Sequence, residues 1–334
     1  MCVTKWKAFP AQSGILVGCL HRRFRRGFTV IELLTVVSVI SLLLSLLLPA
    51  VLRVRESARL TNCRNQLRQL GLALHHYESI HSVFPMGIQV ARFQAGGLFD
   101  KSFGWPVALL PFIEQPSLYE RFDFRLDCQV HHRLATNQFV PVFGCPSDPA
   151  TGVLIEWDGD GVDESIWGPY YHGGWGPLSY LGVSGTDGYI VTDERGKCGD
   201  LQPQNAHLEE GVLYHNSSVR FSSIVDGTSN TFLFGERGVV APYGKWGGAG
   251  VARRCPAGLA DVVLPGIIRS KTSGGVHQPY GDFSDQLIWW SWHSFGTNFS
   301  LSDGSVKAVS YSVSPDIVAA LSSKSGNELL PSEW

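Results

Sequence analysis

Oxygen-bearing side chains recur at short, glycine-spaced intervals in Asp158-Gly-Asp160-Gly-Val-Asp163-Glu164. A loop that curls round a hard divalent cation needs that arrangement, so calcium at Asp158, Asp160 and Asp163 is the one cofactor these residues offer. The segment lacks the full EF-hand pattern, and the competing reading is an acidic turn with no ligand. His293 and Asp303, with Asp226 and Glu236, are acid/base groups, and Ser147 or Ser184 could supply a nucleophilic hydroxyl. None of them stands in a GxSxG elbow or a comparable nucleophile context. Asp226-Gly227 and Asp303-Gly304 have the form of turns, in which an aspartate accepts from nearby backbone amides. His293 is expected to brace the second turn. We read these residues as structural and expect no enzymatic activity.

Aromatic and sulfur-bearing residues are the next source of chemistry. Trp289, Trp290 and Trp292, with Trp246, Trp175 and Tyr170-Tyr171, would make a carbohydrate platform if they faced outward; the alternative is a β core. Strand alternation places Trp290 and Trp292 on one face and Trp289 on the other. Of seven cysteines, Cys2 and Cys19 precede the apolar segment described below, leaving Cys63, Cys128, Cys145, Cys198 and Cys255. The pairing we expect joins Cys63 to Cys145, tying a helix to the sheet, and Cys198 to Cys255. No CxxC pair or Cys/His spacing of the zinc type occurs, so zinc is not expected. A net charge of −2 in 334 residues gives no reason to expect a nucleic-acid surface.

The elements that must position these residues begin with Arg22–Leu52. Arg22, Arg23, Arg25 and Arg26 precede Gly27-Phe28, and an almost unbroken apolar run follows. Phe28 to Leu48 makes about 30 Å of helix, enough to cross a bilayer core. The arginines place its N-terminal side in the cytoplasm, so the remainder lies on the far side of the membrane. Glu32 stands inside the run, and a carboxylate there is costly enough to demand a function. Pro49 is expected to kink the helix and not end it. Leu60, Cys63, Leu67, Leu70, Leu74 and Tyr77 then form one apolar stripe, extending the helix to about Ser82 before Pro85.

From Phe84 onward apolar stretches are short and separated by turn residues, and glycine (37) and tryptophan (10) are plentiful while charged residues are only 17%. Strands are expected at Val153–Trp157, Tyr189–Thr192, Gly211–Tyr214, Thr231–Phe234, Leu287–Trp292, Asn298–Ser302 and Ser305–Tyr311. A two-residue turn at Asp303-Gly304 would pair Leu301 with Val306, Phe299 with Ala308 and Ser300 with Lys307.

The segment RRGFTVIELLTVVSVISLLLSLLLPAV resembles the prepilin cleavage and methylation signature of type IV pilins and type II secretion pseudopilins. The resemblance implies cleavage between Gly27 and Phe28 by a prepilin peptidase, N-methylation of Phe28, and a registry role for Glu32 opposite a neighbouring subunit's amine. Downstream, NCRNQLRQLGLALHHYES, WPVALLPFIEQPSLYERFD, Phe143-Gly-Cys-Pro-Ser-Asp148, Tyr180-Leu-Gly-Val183, Asp226-Gly-Thr-Ser-Asn-Thr231, Gly235-Glu-Arg237 and His293 through Asp303-Gly304-Ser305 resemble a bacterial family of uncharacterised pseudopilin-like proteins with a C-terminal His-x9-Asp-Gly motif. Ser294-Phe295-Gly296 is less glycine-rich than that family's pattern.

The expected fold class is α+β: a type IV pilin-like helix, transmembrane then stalk, packed on an exported antiparallel β-rich head. Its expected divisions are a basic leader 1–27, a transmembrane helix 28–52, a stalk 53–83 and a head 84–334. The expected function is structural, in a single-pass inner-membrane protein with its N-terminus cytoplasmic and its head periplasmic or exported. Expected partners are the prepilin peptidase, like or related pseudopilin subunits and secretion machinery. The alternatives are an exported calcium- or glycan-binding module on the same anchor, and an exported hydrolase built round His293.

Overall fold

A computed structural model describes residues 29–93, 99–125, 137–157, 173–188, 210–214, 216–239, 263–264, 266–268, 275–280 and 288–329. Gly27, Phe28, the acidic loop 158–164, Cys128, Cys198, Cys255, Trp246 and Tyr170-Tyr171 lie outside the described residues, as does the strand expected at Tyr189–Thr192. The chain forms two compact units that meet in sequence at Arg53 and Val54.

Helix α1 runs Val30–His81 with Pro49 inside it. Its start is fixed by a reciprocal cap. The Thr29 backbone N–H and hydroxyl both donate to Glu32 Oε2 (2.9 Å each), while the Glu32 N–H donates to Thr29 Oγ1 at 3.2 Å. This Thr-x-x-Glu capping box satisfies amides that a helix end otherwise leaves unpaired. The large apolar side chains from Val30 to Leu52 are exposed, and the helix is long and apolar enough to cross a membrane by length and composition.

In the second unit α1 turns amphipathic. Cys63, Leu67, Leu70, Gly71, Ala73 and Leu74 are buried at helical spacing, and Leu60 and Tyr77 are half-buried at the ends of the stripe. After His81 the chain turns through Ser82 at φ 60°.

The head is assembled from short elements. β1 (Ile88–Phe93) and β2 (Phe99–Gly104) form an antiparallel pair, followed by α2 (Trp105–Leu109) and α3 (Pro116–Tyr119). β3 (Ile155–Trp157) pairs with β4 (Gly173–Trp175). Next come β5 (Tyr180–Val183), β6 (Asp187–Gly188), β7 (Phe232–Glu236), β8 (Val263–Leu264), β9 (Ile267–Ile268), β10 (Gly296–Leu301), β11 (Val306–Ser310) and α4 (Pro315–Leu321). The main sheet has the order β11-β10-β7-β5-β8, antiparallel except for the parallel β5–β8 pair, and β6 pairs with β9 in parallel. The architecture is α+β, a long helix with a β-rich head.

Strands β5 and β7 are buried at every position. Phe232 stacks on Phe299 of β10 with ring centroids 4.1 Å apart, and Phe234 meets Trp105 at 4.5 Å. A Cβ on Gly235 would come within 2.5 Å of both the Phe299 and the Trp289 rings. Glycine at 235 is therefore what lets two aromatics close over the middle of the sheet.

The structure corrects several expectations. The β10–β11 hairpin pairs Ser300 with Val306, Phe299 with Lys307 and Asn298 with Ala308, one residue away from the expected register. Gly304 adopts φ +84° and Leu301 N–H donates to Ser305 O at 2.8 Å, so the loop holds three residues, Ser302, Asp303 and Gly304. A turn with a left-handed third residue takes up one more position than a two-residue turn, and the whole pairing slips by one. Gly211–Tyr214 is not a strand, although Gly211 N–H donates to Ser184 O and Leu213 N–H to Val183 O at the end of β5.

Nor is Leu287–Trp292 a strand across its described residues. Trp289 and Trp290 make single bridges to Val276 and Arg237. Without a ladder the alternation fails: Trp289 and Trp290 are both buried, and only Trp292, at 50% exposure, reaches solvent. A sugar platform on all three tryptophans is not formed.

Candidate functional site: the Glu56–His293–Glu236 junction

Two residues on one face of α1 begin the site. Glu56 and Cys63 are two helical turns apart, so they point the same way. Cys63 forms a disulfide with Cys145, which follows a short 3-10 turn at Pro141–Phe143. Gln66, further along α1, donates from Nε2 to Pro141 O at 2.8 Å and accepts from the buried Tyr180 hydroxyl at 2.8 Å. Burial first, then the charges of Glu236 and Asp148, pushes the Tyr180 pKa well above that of a free phenol, so it stays a hydrogen-bond donor.

His293 enters from the segment just before β10. Its N–H donates to Ser291 Oγ at 3.0 Å, and the Ser291 hydroxyl donates to Gly296 O at 2.6 Å, which folds the backbone back on itself. The imidazole is thereby held 3% exposed between two carboxylates. Nδ1 lies 2.7 Å from Glu56 Oε1, and Nε2 lies 3.4 Å from Glu236 Oε1 and 3.7 Å from Cys145 Sγ.

Glu236 ends β7 and is 1% exposed. Its Oε2 accepts from Asn298 Nδ2 at 2.7 Å, and Asn298 Oδ1 accepts from Arg64 Nε of α1 at 3.1 Å. Burial pulls the His293 pKa down, but hydrogen bonding and charge from Glu236, then from Glu56, outweigh it and the net shift is upward. An imidazolium donating to both carboxylates fits these contacts. The junction thus joins α1, β7, β10 and the turn carrying Cys145.

Of the expected site residues, His293, Glu236, Cys63 and Cys145 come together, whereas Asp303 and Asp226 act elsewhere. His293 and Asp303 stand before and after β10, so the nine residues between them span one strand and its connections. Asp303 Oδ1 accepts from Ser305 N–H at 2.8 Å, the local turn bond expected of it. Asp226 instead accepts from Gly326 and Asn327 N–H, at 2.7 and 2.8 Å, and ties down the C-terminal segment. His293 does not brace the Asp303 turn through its ring; it ties the stalk to the sheet.

A hydrolase reading asks for paired carboxylates near His293, and Glu56 and Glu236 are there. Both are paired with the imidazole itself, Glu56 through Nδ1 and Glu236 through Nε2. Ser147 donates to Glu56 at 3.2 Å and not to the histidine, and Ser184 is fully buried. In the sequence Glu56, Asn298 and Arg64 have no site role: Asn298 is legible only as a strand residue and Arg64 only as a charge on the stalk. The only signal for Glu56 was a charge two turns ahead of Cys63 on the stalk's apolar side.

A long apolar helix continued by an amphipathic stalk that is bonded to a β-rich head defines a pilin-like class of protein. A family model described as protein of unknown function (DUF1559) matches residues 53–316, most of the chain, and the chain belongs to that pseudopilin-like family. The matched span contains Glu56, Cys63, Cys145, Glu236 and His293. No curated protein and no solved structure matches the chain.

Proposed function

We propose that this chain is a membrane-anchored, pseudopilin-like structural subunit. A prepilin peptidase cuts between Gly27 and Phe28 and N-methylates Phe28; Val30–Leu52 lies in the inner membrane; and the head is exported, where it contacts like subunits or secretion machinery of the type II or type IV pilus kind. The observation that carries this reading is the exposed apolar face of α1, headed by the Thr29–Glu32 cap. In lipid, every backbone amide needs a partner, and the capping box supplies partners at the one end where the helix cannot supply its own.

The capping box also sharpens the role of Glu32. In the single chain its carboxylate is already bonded to Thr29, so a neighbour's methylated amine would add charge pairing to an oriented group. The absence of catalysis in this proposal is supported by the saturation of the His293 ring. The test is the mass of the mature N-terminus: wild type should begin with methylated Phe28, and Gly27→Ala should remain as uncut precursor. A mature wild-type chain beginning elsewhere would contradict the proposal.

A further inference from the structure

The donor atoms of Cys63, Cys145, Glu236 and His293 all lie within 4.8 Å of one another, and all four residues are buried. No local sequence spacing announces this group, because the four residues come from α1, the turn after Phe143, β7 and the segment before β10. We propose that in the dithiol state these residues form a closed structural zinc site, so that one place in the fold holds either a disulfide or a metal ion.

Three features of the geometry support this. First, tetrahedral zinc at about 2.0–2.3 Å from sulfur, nitrogen and oxygen places its donors about 3.6 Å apart. His293 Nε2 is already 3.4 Å from Glu236 Oε1 and 3.7 Å from Cys145 Sγ. With their Cα atoms 5.1 Å apart, the two cysteines can reach that sulfur separation by side-chain rotation once they are no longer bonded.

Second, the outer contacts are those a metal-binding histidine requires. Glu56 Oε1 accepts from Nδ1 at 2.7 Å, which turns the Nε2 lone pair of a neutral ring toward the two sulfurs and Glu236. Asn298 Nδ2 holds Glu236 Oε2 at 2.7 Å, leaving Oε1 on the histidine side. In the disulfide state a proton on Nε2 stands between the ring and Glu236 Oε1, and the metal would take that proton's place. Third, two thiolates, an imidazole and a carboxylate make a mixed donor set that suits zinc better than a hard cation.

The redox step balances with an external dithiol as the reductant. An external dithiol transfers two electrons and two protons to the Cys63–Cys145 bond and is itself left as a disulfide. Zinc then displaces three protons to solvent, one from each thiol and one from Nε2 of the imidazolium, and is held by both thiolates, Nε2 of His293 and Oε1 of Glu236. In either state α1 stays fastened to the head, by a sulfur–sulfur bond or through the metal.

The test is a cobalt titration of the full chain in detergent, once oxidised and once reduced anaerobically with a phosphine. The reduced protein should bind one Co²⁺ with the intense visible absorption of a tetrahedral thiolate site, and Zn²⁺ should bleach it. The oxidised protein should give no such absorption. Cys63→Ser with Cys145→Ser should abolish it although Cys128, Cys198 and Cys255 remain. Glu56→Gln, which keeps all four ligands, should weaken binding by roughly 10- to 100-fold. The proposal is overturned if the reduced wild type gives no tetrahedral cobalt spectrum, whether or not it keeps its fold. It is equally overturned if the oxidised protein or the double serine variant gives the same spectrum.

Discussion

Glu56 and His293 are 237 residues apart in the chain and 2.7 Å apart in the fold. One sits on the stalk helix with its side chain 45% exposed, the other behind the main sheet at 2%. Through His293 the contact reaches Glu236, so a residue near the membrane-length segment is wired to the middle of the head.

The two ends of that wire differ in cost. His293→Ala leaves the carboxylate of Glu236 buried without its cationic partner, an effect on the order of 3–5 kcal/mol. Glu56→Gln keeps a hydrogen-bond acceptor at a half-exposed position and should cost only about 1 kcal/mol. Denaturant unfolding of the full chain in detergent, followed by tryptophan fluorescence, checks both. Equal costs for the two variants would contradict the ordering.

Gly235→Ala should be among the most damaging conservative substitutions in the head. The added methyl meets two aromatic rings and the neighbouring strands leave little room to yield, so a loss of about 1–3 kcal/mol is expected. Limited proteolysis should show earlier cleavage of the variant. Unchanged resistance would mean that Phe299 and Trp289 repack freely.

Asp148 gives a pH dependence whose sign is set by burial. Burial raises its pKa, the amides of Val239 and Ala150 and the Ser179 hydroxyl pull it back, and the charge of Glu236 raises it again; the net shift is upward. The folded state therefore holds the proton to higher pH than the unfolded chain does. The contribution of Asp148 is full below the unfolded carboxylate range and is lost as pH rises through the raised native value. Against Asp148→Asn, whose side chain does not titrate, the wild type should lose relative stability as pH climbs through that window. A gain would reverse the assignment.

The helix was legible because its signals are local: the membrane-length apolar run, the stripe from Cys63 to Leu74, and Pro85 beyond the end. The Asp303-Gly304 turn was legible too, but not its register, since binary alternation cannot tell a two-residue turn from a three-residue one whose glycine is left-handed. The Thr29-x-x-Glu32 box is equally local, but the cost of Glu32 in lipid and its registry role hide its simpler work as a helix cap. Tyr180–Val183 was noticed as a motif and not as a strand, being short and buried on both faces. His293 and Glu236 were legible as acid/base groups, but their meeting with Glu56 was not, because pairing across 237 residues is a property of the fold alone.

The capping box makes the most direct test of the assembly proposal possible. Glutamine serves as well as glutamate at the third position of a capping box, so Glu32→Gln removes the charge and preserves the helix start, whereas Glu32→Ala removes both. With a cysteine placed at Val30, oxidative cross-linking of processed protein in native membranes should give a ladder of multimers for the Glu32 chain. That ladder should collapse for Glu32→Gln while cleavage at Gly27/Phe28 continues. An undiminished ladder in Glu32→Gln, or only monomer in the Glu32 chain, would contradict charge-registered assembly.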